Sequence, residues 1–184
     1  MRKEELPKWK LDKRLKEKLE EPFDKSKSVF KSWQHDTKGV IIASLKADLG
    51  YWRVPRFLKD AEDYREVVEI ISTNYVELKK IFVNLISGDS YPGIGFNDFS
   101  AFSRATDILD GTIPTSTVDR MFLTVKATTP PGASGNNLLR HEFLEVLVRI
   151  ANAKYKETGK VQTVAQGLRL LVDTMIAKYE LAPW

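Results

Sequence analysis

Apolar residues recur at helical spacing along most of the chain, and residues 136–155, NNLLRHEFLEVLVRIANAKY, carry the densest of these patterns. Leu139, Phe143, Val146, Leu147 and Ile150 recur at three- and four-residue steps, which on a helix of 3.6 residues per turn makes one wide stripe. Leu144, Val148 and Ala151 add a second stripe, so the spacing predicts a central helix contacted over more than half its circumference. Its expected wet edge is Glu142, Glu145, Arg149 and Asn152, and Asn136 or Asn137 is expected to cap its start. Glu145 and Arg149 have the favourable acid-before-base spacing of four.

The other elements follow from the same periodicity. Leu11, Leu15 and Leu19 alternate with lysines over 8–20, giving a narrow apolar stripe on a charged helix that Pro22 ends. Phe23, Val29, Phe30 and Trp33 predict a short helix, and Val40, Ile41, Leu45 and Leu49 another. Gly50 and Pro55 bracket a turn whose aromatics, Tyr51, Trp52 and Phe57, are expected to fill the core. Asp60 opens a long helical stretch with Tyr64, Val67, Val68 and Ile71 on one face. A break is expected near Asn74, after which Leu78, Ile81, Phe82 and Leu85 run to the Ser87-Gly88 stop. Phe99, Phe102, Ala105 and Ile108 predict a helix closed by Asp110-Gly111. Thr115 or Ser116 should cap one carrying Val118, Met121, Phe122 and Val125, which ends before Pro130-Pro131. A last helix, over about 161–179, has Val164, Leu168, Leu171, Met175 and Tyr179 on one face. The expected class is all-α, with no strand beyond a two-residue bridge between loops.

Composition adds limits. With 184 residues and 42% hydrophobic content the chain can fill a single core. There is no cysteine, which excludes disulfides and thiolate metal sites and fits a reducing compartment. No apolar run reaches the roughly 18 residues needed to span a bilayer, and MRKEELPKWK lacks a signal-peptide core, so a cytoplasmic protein without a membrane span is expected. The net charge of +4 is uneven: residues 1–38 hold 12 Lys/Arg against 8 Asp/Glu, and the remainder is balanced at 17 each. This is too little for a nucleic-acid footprint. It does make the arm 1–22, with Lys8, Lys10, Lys13, Arg14, Lys16 and Lys18, the candidate partner-binding segment, ahead of a helical domain over 23–184.

Catalytic chemistry is sparse. His35 and His141 are far apart in sequence, and His141 is expected on the polar edge of the central helix. The Gly93-Ile94-Gly95 triplet lacks the further glycine or lysine of a phosphate-binding loop, and no GxSxG elbow occurs. The chain reads as a non-enzyme without a cofactor.

Residues 75–109 and 116–155 share one design of helix, loop of about a dozen residues, and helix, and together resemble a pair of EF-hands. Ile94, Phe96, Asp98 and Phe99 fall where that superfamily has its loop isoleucine, the residues after it, its last ligand and its first core aromatic; Leu138, Glu142 and Phe143 take the equivalent places in the second unit. The resemblance implies that the two loops pair through Ile94 and Leu138 as a miniature sheet. It also implies that calcium binding is lost. Counting from Ile94 as the eighth position puts Ser87 first, Asp89 third, Tyr91 fifth, Pro92 sixth and Asp98 last, leaving Asp89 and Asp98 as the only candidate metal ligands. A working loop needs about seven oxygens and a glycine at the sixth position, which proline, held at φ of about −65°, cannot replace. In the second loop no Asp or Glu lies between Asp119 and Glu142.

DGTIPTSTVDRMF at 110–122, followed by LLRHEFLEVLVRIA, is similar to the p25-alpha domain of tubulin polymerisation-promoting proteins through Asp110, Gly111, Thr115, Thr117, Val118, Asp119, Phe122 and Phe143. It departs from that domain in the Pro/Gly-rich insertion at 129–137 and the helical region before 75. The long apolar helix is also similar to those of EF-hand-like proteins in ciliated and flagellated protists. These resemblances imply a calcium-independent interaction or scaffold module whose partner is tubulin or another protein of the microtubule or ciliary cytoskeleton. A calcium-binding regulator with nonstandard loops is the alternative.

Overall fold

The computed structural model describes residues 24–29, 31–32, 36–87, 91–127 and 135–179. The chain divides into two units, 1–37 and 38–184. In the first, the described part is a 3-10 turn, Lys25–Lys27, in which the Asp24 carboxylate accepts the Ser26 N–H and hydroxyl at 2.9 and 2.7 Å. Over the described residues 24–29 this local capping stands in place of the helix expected from Phe23 onward; Phe30 and Trp33 lie outside the described residues. The arm 1–22 lies outside the described residues.

The second unit is all-α: α1 Lys38–Tyr51, α2 Val54–Phe57, α3 Ala61–Leu85, α4 Phe96–Ala105, α5 Thr115–Ala127, α6 Arg140–Ala151 and α7 Val164–Lys178, with a π-helical turn Asn152–Lys156 directly after α6. Among the described residues no strand occurs, and no helix is long and apolar enough to cross a membrane. The sole β feature among them is an antiparallel bridge between Ile94 and Leu138.

α6 packs against α1, α3, α5 and α7, as its double stripe predicts. Phe143 is fully buried, with the rings of Phe82, Phe99 and Phe102 centred 6.0, 6.5 and 5.9 Å from its own. The expected wet edge is wrong at two places: Glu142 is 1% exposed and Glu145 2%. Both carboxylates are buried because each finds cationic and backbone partners inside the protein. The cap is different too. Leu139 is the N-cap residue, and its N–H donates to the Glu142 carboxylate at 2.7 Å, the reach-back half of a capping box, in place of the cap expected from Asn136 or Asn137.

α3 runs unbroken for 25 residues through the break expected at Asn74, whose amide donates to the Ile70 carbonyl at 2.9 Å and so stays within the helical ladder. Asp60 caps α3 through the N–H groups of Glu62 and Asp63. Asp63, buried, then accepts from Val164 N–H and Ala165 N–H at 2.9 and 2.8 Å, closing the start of α7 with a carboxylate from α3. α4 ends at Ala105, earlier than expected, because Asp107 takes a left-handed φ of 55° just past the helix. Thr115 and Ser116 are the first residues of α5 rather than its cap. Of the three aromatics near Gly50, Trp52 is in the core, Phe57 is half-buried and Tyr51 faces outward.

Because Phe143 is at the centre of the aromatic cluster, Phe143→Ala should lower the unfolding free energy by about 3–5 kcal/mol in chemical denaturation. A loss below about 1 kcal/mol would contradict this packing.

Candidate functional site

The two loops meet through their backbones. Ile94 N–H donates to the Leu138 carbonyl and Leu138 N–H to that of Ile94, both at 2.8 Å, and both side chains are fully buried. The approach is close enough to require glycine at 93, where an added Cβ would stand 2.6 Å from the Leu138 carbonyl oxygen. Phe96, two residues after Ile94 and first in α4, sets its ring edge-on to Phe122 at 5.2 Å and leaves 41% of the residue exposed.

Of the two candidate ligands, Asp89 lies outside the described residues, and Asp98 sits half-buried in the first turn of α4. Among the described residues no group of three or more His, Asp or Glu is placed to hold a metal ion. Glu142, expected at the equivalent place after the second loop, stands in the first turn of α6. Its two carboxylate oxygens lie 3.2 and 3.1 Å from the Lys126 ammonium, which reaches across from α5.

A cleft of about 590 Å³ opens beside the bridge, lined by Phe96, Asn97, Asp98, Leu123, Lys126 and Asn137 among others. Leu123 is 59% exposed and shares this cleft with Phe96, so two large apolar side chains face solvent together with amides and one carboxylate.

A second ammonium is more deeply buried. Lys154, 1% exposed, donates to the carbonyls of Asp107 and Ile108 at 2.7 and 3.0 Å and lies 3.0 Å from the Asp110 carboxylate. Asp110 in turn accepts the N–H and hydroxyl of Thr112 at 3.0 and 2.6 Å. Burial alone would raise the Asp110 pKa, but the hydrogen bonds from Thr112 and the Lys154 charge outweigh it and hold the group at about 2 against an ordinary 3.8.

Asp48 organises the far side of α6. It accepts Tyr75 hydroxyl at 2.5 Å and receives Arg140 through Nε and Nη2 at 2.6 and 3.1 Å. Burial, followed by that carboxylate, pushes the Tyr75 hydroxyl well above its ordinary value. His141 is half-buried with its ring 5.6 Å from that of Tyr51, and desolvation lowers its pKa against the pull of Glu142, Asp48 and Glu145. His35, like the lysines and arginine of the arm, lies outside the described residues.

The sequence reading missed Lys126, Lys154 and Asp48. Two of these had a signal: Lys154 follows Leu147 and Ile150 on the apolar stripe, and Asp48 follows Ile41 and Leu45 on that of α1, so each is a charge placed where the periodicity asks for an apolar side chain. Lys126 had none. Compared with protein-family models, curated proteins and solved structures, the chain matches none.

Gly93→Ala should disrupt the bridge and cost about 1–3 kcal/mol in urea denaturation, and an unchanged midpoint would contradict the close approach described. For Asp110 the folded pKa is depressed, so its stabilisation is complete above the ordinary 3.8 and is lost as pH falls through about 2. The stability gap between the wild type and Asp110→Asn should therefore narrow across that interval in acid denaturation; a gap that stays constant would refute the assignment.

Proposed function

We propose that the chain is a calcium-independent protein-interaction or scaffold module of the microtubule or ciliary cytoskeleton, built on two EF-hand-like units. The observation that carries the reading is the Ile94–Leu138 bridge: two helix–loop–helix segments joined through matching apolar loop residues. Calcium independence is supported by the chemistry at the second loop, where the buried Glu142 carboxylate is met by Lys126 at a position where a calcium loop would offer a carboxylate to its ion. The cytoskeletal partner rests on the resemblance of 110–122 and the helix after it to the p25-alpha domain. Phe96 and Leu123 in the cleft supply an apolar contact face for such a partner, and the lysines of the arm add a salt-sensitive attraction to an acidic protein surface.

Co-sedimentation with microtubules tests this. The full chain should pellet at low salt equally well in calcium and in chelator, and removal of residues 1–22 should weaken pelleting more at low salt than at high salt. Leu123→Asp should reduce pelleting at both. Absence of pelleting by the full chain at low salt removes the cytoskeletal reading, and pelleting that requires calcium removes the claim of independence.

A further inference from the structure

Lys154 is a buried charge with no role in the contact face or the bridge, and its surroundings have the form of an ion site. Three oxygens converge on its nitrogen: the carbonyls of Asp107 and Ile108 at 2.7 and 3.0 Å and the carboxylate of Asp110 at 3.0 Å. An ammonium has three hydrogens and no acceptor, so these three partners use it fully. With the residue 1% exposed and every hydrogen committed, the amine has neither the lone pair nor the access that a nucleophile or base requires.

The loop is shaped to this charge from both sides. Asp107 sits at φ 55°, a conformation that disfavours a side chain, and with it two successive carbonyls face one point. Thr112 occupies the other oxygen of Asp110 through both N–H and hydroxyl, fixing the carboxylate in place. On the opposite wall, the π-helical turn Asn152–Lys156 adds a residue to the α6 register just where Lys154 must reach the loop. Isolated carbonyls buried together repel and would need a cation or water between them; here the cation is part of the chain.

We propose that loop 107–112 is a three-oxygen cation cradle whose resident ion is the tethered ammonium of Lys154, and that vacating it leaves a binding site for a free monovalent cation of ammonium or potassium size. The tether fixes the connection between α4 and α5, and hence the spacing of the two helix–loop–helix segments, without any ion from solution. This stands apart from the identity of the partner, and its test contains none.

The test is thermal unfolding of the full chain carrying Lys154→Ala in ammonium chloride, potassium chloride and tetramethylammonium chloride at equal ionic strength, the last cation being too large for the cradle. Ammonium or potassium should raise the midpoint of the variant by about 3 °C or more over tetramethylammonium, after subtraction of the same difference in wild type. Adding Asp110→Asn should abolish that gain. A variant that responds to the three salts as wild type does overturns the proposal. If Lys154→Ala is unfolded in tetramethylammonium chloride, recovery of helical circular dichroism in either small cation supports the cradle, and failure to recover in both counts against it. Lys154→Met, which keeps the apolar stem and fills the space, should melt below wild type and ignore the salts; a wild-type midpoint would mean that the charge is dispensable and would also overturn the proposal.

Discussion

Burying α6 on every side obliges each polar group on it to find a partner inside the protein, and those partners tie the other elements together. Arg140 reaches Asp48 on α1, Glu142 meets Lys126 on α5, Glu145 accepts Arg53 N–H just before α2 and pairs with Arg149 at 2.8 Å, and Lys154 in the following turn holds the loop before α5. The apolar stripes supply most of the burial energy, yet they would tolerate small rotations and shifts of the helix. The charges do not. A buried ion pair adds little net stability over an apolar pair of the same shape, but losing one partner is costly, so these pairs act chiefly to select one arrangement of neighbours around α6.

The paired loops follow the same logic at closer range. Two reciprocal hydrogen bonds between Ile94 and Leu138 are all the sheet that forms among the described residues, and Gly93 is what lets the second backbone come near enough to make it. On and after α6, lysines stand against carboxylates and carbonyls: Lys126 at Glu142, Lys154 at the loop of Asp110. A tethered ammonium needs no ion from solution to fill its place.

Much of this architecture was legible in the sequence, because helices declare themselves through spacing. The central helix, the start of α3 at Asp60 and the amphipathic α7 follow from period and position, while the pairing of Ile94 with Leu138 was what the resemblance to paired EF-hands implied. The misplaced carboxylates have one physical source. Periodicity assigns a carboxylate to the outside because its charge is costly to bury alone, and Glu142 and Glu145 are not alone; their partners come from residues 126, 53 and 149, and two of these lie outside α6. Pairwise compensation across elements leaves no trace in the spacing of either one. Asn74 misled for a related reason, since a residue that favours turns is harmless in a helix when its amide returns to the preceding turn. The site was legible only in part: the loops of Ile94 and Leu138 were expected to meet and do, while the lysine that faces Glu142 gave no sequence signal.

The contact between Asp63 and the first turn of α7 also has a kinetic side. Val164 lies 101 residues after Asp63, so the carboxylate that closes the start of α7 arrives from a helix made long before it in the chain. A 15-residue helix is marginal by itself in water, and Thr163 alone satisfies only one of its leading N–H groups. α7 therefore gains its stable first turn on docking to α3, and a contact of such long sequence separation is of the kind that slows folding.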